Sequence, residues 1–115
     1  DGHAFLVAED AGRIMGFVTY AQFRGGIGYA HTMEHTILLA PDAQGRGLGP
    51  ALLSAAETHA RAAGAISIFA GVSAENPAGR RFHARMGYAE VAVLQRVGFK
   101  FGRTMDLVLM QKFLT

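Results

Sequence analysis

Three observations predict an α/β fold in which helices flank a mixed β-sheet. Runs of β-branched and apolar residues alternate with two segments of helical periodicity. A glycine-rich loop joins one β-prone run, Thr36-Ile37-Leu38-Leu39-Ala40, to the longer helical segment. The chain has 115 residues, half of them apolar, with no internal repeat, which suits a single domain over residues 1–115 and leaves no room for two.

In order, His3 to Glu9 and Arg13 to Phe23 are apolar, β-prone runs, and Asp10-Ala11-Gly12 between them has the chemistry of a hairpin turn. Gly25, Gly26 and Gly28 make a loop before a strand from about His31 to Ala40. The segment from Leu48 to Ala63 reads as a helix. Leu48, Leu52, Ala55, Ala56 and Ala60 fall on one face, Ser54, Glu57 and Arg61 fall on another, and Gly64 stops it. Ala65 to Ser73 is mostly apolar, as expected of a strand buried on both faces. Asn76-Pro77 reads as an N-cap followed by proline at the first helical position, opening a short helix that ends near Met86-Gly87. Two last strands, Tyr88 to Arg96 and Met105 to Phe113, flank a loop from Gly98 to Gly102. The strands on either side of the long helix form a parallel pair, joined by a right-handed crossover.

Composition narrows the function. No cysteine is present, so disulfides, thiolate metal sites and a cysteine acyl carrier are excluded, and a reducing cytoplasm is the expected location. A net charge of +2 is mildly basic, which suits an anionic small ligand and is too weak to argue for nucleic acid. No apolar run reaches the ~18 residues of a membrane span. His31, Glu34 and His35 lie close in sequence. On one strand, however, the two histidines face one side and the glutamate the other, so no shared metal is expected.

The residues that carry most chemistry are Gln44-Gly45-Arg46-Gly47-Leu48-Gly49. A loop of this kind leaves the first N–H groups of the helix without intrahelical acceptors at the positive end of the helix dipole, a ready site for pyrophosphate. The plainer reading is a tight turn whose glycines only permit close packing. It is not a Walker loop, because Gly49 is followed by Pro50 rather than Lys-Ser/Thr, and its spacing is not the dinucleotide fingerprint. Pro50 has no N–H to give, so an anion must be held by the amides before it.

Q-x-x-G-x-G resembles the acyl-CoA pyrophosphate loop of the GNAT superfamily of N-acetyltransferases. Glu34-His35-Thr36, Ala74-Glu75-Asn76-Pro77, Phe82-His83-Ala84-Arg85-Met86-Gly87-Tyr88 and Val97-Gly98-Phe99-Lys100-Phe101-Gly102-Arg103 are similar, in order and spacing, to the phosphinothricin and methionine sulfoximine acetyltransferases. This resemblance implies a sheet that splays open between the parallel strands, with acetyl-CoA as cosubstrate, no metal, and a small amino-acid-like acceptor. It also implies a homodimer, with neither nucleic acid nor membrane as partner. Gln44, Gly45, Arg46, Gly47, Leu48 and Gly49 would hold the pyrophosphate, the main chain of Ile37, Leu38 and Leu39 the pantetheine arm, and Asn76 and Arg85 further parts of the cosubstrate. Asn76 is equally explained as a helix cap and the three apolar side chains as core.

The resemblance further implies that Glu34 takes a proton from the amine, directly or through water, and that His83, where many relatives have a tyrosine, works near the thioester sulfur. A near-neutral imidazole suits proton transfer in either direction. His35 and Thr36 would line the substrate side, and Arg24 would grip the substrate carboxylate with its two-pronged guanidinium. Each has a plainer reading, a surface Glu34, a groove-filling His83 and a solvated Arg24. The family ordinarily begins with a further strand and two helices that wall the substrate pocket, whereas this sequence starts near the second strand. Without that segment a sheet edge and an apolar face would be uncovered. Two other function classes remain, a catalytically silent acyl-CoA-binding module and a basic RNA-binding domain using the arginine helix and Lys100–Arg103.

Overall fold

The computed structural model describes residues 4–45 and 47–115, so the readings placed on His3 and Arg46 lie outside the described residues. Its elements are β1 (Ala4–Asp10), β2 (Arg13–Gln22), β3 (Thr32–Leu39), α1 (Leu48–Ala62), β4 (Ser67–Ser73), α2 (Pro77–Arg85), β5 (Ala89–Lys100) and β6 (Arg103–Phe113). They form a six-stranded mixed sheet in the order β1-β2-β3-β4-β6-β5. Only β3 and β4, on either side of α1, run parallel.

Both hairpins close through two residues at positive φ. Ala11 (54°) and Gly12 (80°) connect β1 to β2, and Phe101 (54°) and Gly102 (75°) connect β5 to β6. This is the turn geometry whose twist matches antiparallel strands. The second hairpin corrects the expected Gly98–Gly102 loop, because β5 runs on to Lys100 and β6 starts at Arg103, with Gly98 paired to Met105. An irregularity between Leu94 and Gly98 hid that continuity. Arg96 adopts φ 59° there and its N–H donates to Asp106 Oδ1 at 3.0 Å, so the ladder resumes beyond it.

The core lies between one face of the sheet and the two helices. Tyr20, His35, Ala70 and Met110 stand in register across four strands, and all are buried. Leu52, Leu53, Ala56 and Ala60 of α1 close over this face, with Phe82 of α2 and Met86 just after it packed against the same cluster. Full burial of a side chain such as Leu53 or Ile68 stabilises by about 1.5–3 kcal/mol. The helix face expected from sequence is rotated: Leu53 and Glu57 are buried and Ala55 is exposed. Glu57 tolerates burial because Tyr88 Oη donates to its Oε2 and Lys112 Nζ to its Oε1, each at 2.8 Å.

Phe17, Ala21, Phe69, Leu107 and Leu109 line the opposite face, and among the described residues no helix packs there. In consequence β4 is not buried on both faces as expected. Ile68, Ala70 and Val72 are buried, Phe69 and Ser73 are half-buried and Gly71 is exposed.

Candidate active site

The site is made where the parallel pair comes apart. β3 and β4 pair only from Thr32↔Ser67 to His35↔Ala70, after which β3 runs on to Leu39 and β4 to Ser73 without pairing each other. Thr36 to Leu39 remain hydrogen-bonded to β2 on their other side, from Thr19↔Thr36 to Gly16↔Leu39. One edge of β3 is therefore free at the divergence, as the expected splay requires. The gap opens into a cleft of about 740 Å³. Its lining brings together Glu34, His35, Thr36, Ile37, Leu38, Leu39, Gln44, Gly45, Gly47, Gly49, Asn76, His83 and Arg85 from the residues singled out by sequence.

The glycine loop closes one end. Gly47 is the N-cap of α1 with φ 76°, and Gly45 has φ 79°, both in the left-handed region where glycine is favoured. A Cβ at either position would meet nothing within 4 Å, so the backbone conformation and not crowding favours glycine there. The first main-chain bond of α1 is Ala51 N–H to Gly47 O at 3.3 Å, and the first turn carries no acidic residue. The N–H groups of Leu48 and Gly49 thus have no acceptor within the helix at the positive pole of its fifteen residues, a donor set that fits a pyrophosphate, although Gly49 lines the cleft and Leu48 does not. Gly49 has a second role: a Cβ there would sit 3.2 Å from Phe82 and 3.3 Å from Leu39, where α1 approaches α2 and β3.

Asn76 caps α2 by accepting from Gly79 N–H at 3.0 Å, with Pro77 in the first turn, as the sequence predicts. Gly79 must lack a side chain for this, because a Cβ would lie 2.5 Å from Asn76 Nδ2. The cap also directs the Gly79 carbonyl into the helix, where His83 Nδ1 approaches it at 2.8 Å.

Glu34 and His35 point to opposite faces of β3, yet both line the cleft, because the splay admits side chains from both faces. Glu34 is half-buried, and desolvation raises its carboxyl above the usual range. Gly71 gives that carboxylate room, since a Cβ on Gly71 would stand 3.2 Å from Glu34 Oε2. An isolated glycine inside a strand pattern is the sequence signal that could have marked Gly71.

His83 departs from the expected near-neutral imidazole. It is buried, desolvation lowers its pKa, and its Nε2 lies 3.2 Å from His35 Nε2 with the rings stacked at 5.0 Å. His35 is 4% exposed, and burial, helped by repulsion from His83, brings it down to about 3. Tyr88 meets both rings edge-on and ties them to the Glu57–Lys112 pair. This buried polar network was missed in the sequence.

Arg24 is not among the lining residues. It is exposed, and its guanidinium sits 5.1 Å from the Tyr29 ring centroid. Arg80 of the arginine helix is held by Glu90 at 2.8 and 2.9 Å, and Arg103 of the Lys100–Arg103 strip is held by Glu75. Among the described residues no cluster of three His, Asp or Glu side chains is arranged to hold a metal, and no helix is long and apolar enough to cross a membrane.

Comparison with known proteins agrees with this architecture. The chain is 37% identical over 110 residues to the L-methionine sulfoximine/L-methionine sulfone acetyltransferase of Salmonella typhimurium, covering 96% of this chain and 64% of that protein. It is 37% identical over 112 residues to the phosphinothricin N-acetyltransferase of Alcaligenes faecalis, covering 96% and 57%. The structure of yncA from Salmonella typhimurium with its cofactor acetyl-CoA superposes with a TM-score of 0.92 at 37% identity, covering 99% of this chain and 66% of that one. The chain therefore spans less than two thirds of the length of these curated relatives. The family model for GNAT acetyltransferases matches residues 1–88, most of the sequence, and the chain belongs to the GNAT acetyltransferase family.

Proposed function

We propose that the protein is an acetyl-CoA-dependent N-acetyltransferase acting on the α-amino group of a small amino-acid-like substrate of the methionine sulfoximine, methionine sulfone or phosphinothricin type. The observation that carries this reading is the cleft itself. One opening joins the glycine loop, the free edge of β3, a half-buried carboxylate and a buried histidine pair. Acetyl-CoA supplies the activated acetyl thioester. The amides around Gly47 to Gly49 hold its anionic end, the free main chain of Ile37 to Leu39 pairs with its amide-bearing arm, and Asn76 and Arg85 lie along the same opening.

Glu34, raised by burial, is suited to taking the proton that an ammonium must lose before it attacks. With no cysteine in the chain to carry an acyl group, the amine attacks directly while both substrates are bound. His35 and Thr36 lie beside Glu34 on the acceptor side, and Arg24, close in sequence to the β2 end, is the proposed carboxylate partner. Work on an intracellular thioester puts the protein in the cytoplasm, and we assign it a homodimeric state, supported by apolar Val91, Val93, Val97 and Phe99 exposed on edge strand β5.

The test is turnover. Incubation with acetyl-CoA and a panel of amino acids and analogues should release free CoA and yield an N-acetyl product of matching mass. Tight acetyl-CoA binding without CoA release for any amine would instead make the chain a silent acyl-CoA-binding module. Salt-dependent RNA affinity without CoA affinity would favour the RNA reading, which the paired Arg80 and Arg103 disfavour.

A further inference from the structure

The hydrogen bonds of the two buried histidines fix their tautomers. The Gly79 carbonyl can only accept, so at 2.8 Å His83 Nδ1 must carry a hydrogen. Neutral His83 then has its lone pair on Nε2, and the atom 3.2 Å away is His35 Nε2, which must be the donor. That leaves the lone pair of His35 on Nδ1. This nitrogen is buried and has no hydrogen-bond partner among the described residues, although His35 is one of the residues that line the cleft. An unsatisfied buried acceptor is costly, about 1–3 kcal/mol, and its retention beside a cleft calls for a donor.

We propose that His35 Nδ1 is the basic atom of this pair and that His83 exchanges protons with the site only through His35. A proton accepted at His35 Nδ1 forms an N–H bond there. The Nε2–H bond of His35 breaks, and its proton forms a new bond to His83 Nε2. The charge comes to rest on His83, still anchored to Gly79 O, and the imidazole pair gains one proton in all. The donor that fits a shielded nitrogen is a water held against it, which passes on the second proton of the acceptor amine, the one lost on attack after the ammonium has given its first to Glu34. That last step rests on the acetyltransferase reading, whereas the tautomers do not. The groups that face the pair are Tyr88 just before β5, Tyr20 of β2 paired with His35, and Glu57 of α1 with its partner Lys112 of β6. The Glu57 carboxylate favours a charged His83.

Histidine-selective ¹⁵N labelling of the full chain tests this without turnover. At pH 7.5 long-range ¹H–¹⁵N spectra should show His83 as the Nδ1–H tautomer and His35 as the Nε2–H tautomer, with a scalar coupling across the two Nε2 atoms. Finding His83 as the Nε2–H tautomer, or no coupling between the rings, overturns the proposal.

In turnover, His35→Gln and His83→Gln should each cost about tenfold to a hundredfold. Both should remove the same limb of the pH–rate profile, and the double variant should be no slower than the worse single one. A His35→Gln enzyme with the wild-type profile, beside an impaired His83→Gln, would also refute it. If no amine is acetylated while the tautomers are as stated, the acetyltransferase reading fails and the proton pair stands. Turnover with the opposite tautomers keeps the acetyltransferase and removes the proton pair.

Discussion

Acidification should destabilise this fold from near pH 6.5 downward, because His35 is buried as a neutral ring. The unfolded chain binds a proton on His35 near the ordinary value of 6.5, whereas in the folded protein burial and His83 bring it down to about 3. A depressed folded value means that stability is intact above pH 6.5 and is lost as the pH falls from there toward 3, since the unfolded state binds more protons throughout that window. Each pH unit in the window costs about 1.4 kcal/mol, so pH 5 should leave the protein about 2 kcal/mol less stable than pH 7.5. His83, also depressed by burial, adds in the same direction.

That loss is a sizeable share of the total for a domain of this length, for which 0.05–0.15 kcal/mol per residue is typical, or roughly 6–17 kcal/mol. Urea unfolding at pH 7.5, 6 and 5 measures it through the midpoint, provided the slope stays constant. His35→Gln keeps a donor toward His83 and removes the titration, so its pH dependence should flatten, and the double Gln variant should flatten further. Stability that is level from pH 7.5 to 5, or an undiminished slope in the double variant, would refute the reasoning.

Three further outcomes are expected. Gly47→Ala should cost about 1–2 kcal/mol of stability through its left-handed φ of 76°, and should weaken acetyl-CoA binding in calorimetry, because the strained loop no longer holds its amides in place; unchanged affinity in the folded variant would remove the pyrophosphate assignment. Glu34→Gln should lower turnover by about 10²- to 10⁴-fold with cofactor affinity intact. It should also remove the share of the rise of rate with pH that a carboxyl raised by burial contributes in the wild type; wild-type turnover would make Glu34 structural. Arg24→Ala should raise KM for amino acids while sparing amines without a carboxylate, and Lys should restore only part of the loss. An equal penalty on both substrate classes would leave Arg24 with its stacking on Tyr29 and no role in the site.

Residues governed by local chemistry could be read from the sequence, and those governed by packing could not. The cap at Asn76-Pro77, the turn at Ala11-Gly12 and the helix start after Gly47 each depend on a few adjacent residues, and all stand where expected. Glu57 shows the limit. Its place on a polar helix face is the right prior for a lone carboxylate, and the prior fails because Tyr88 and Lys112 arrive from distant strands to satisfy both oxygens. The histidine pair fails to appear for the same reason. His35 and His83 are forty-eight positions apart, and only the docking of α2 on the sheet brings their Nε2 atoms within 3.2 Å.

The end of β5 was hidden differently. The irregularity near Arg96 breaks the alternation that marks a strand, so the sequence reads as ending where the backbone only bends. The cleft combines both kinds of information. Its loop is local and legible and its splay followed only from the family resemblance, whereas the proton chemistry beside them is set by burial. The sequence therefore points more directly to a loop suited to a phosphorylated ligand than to the buried histidine pair beside it.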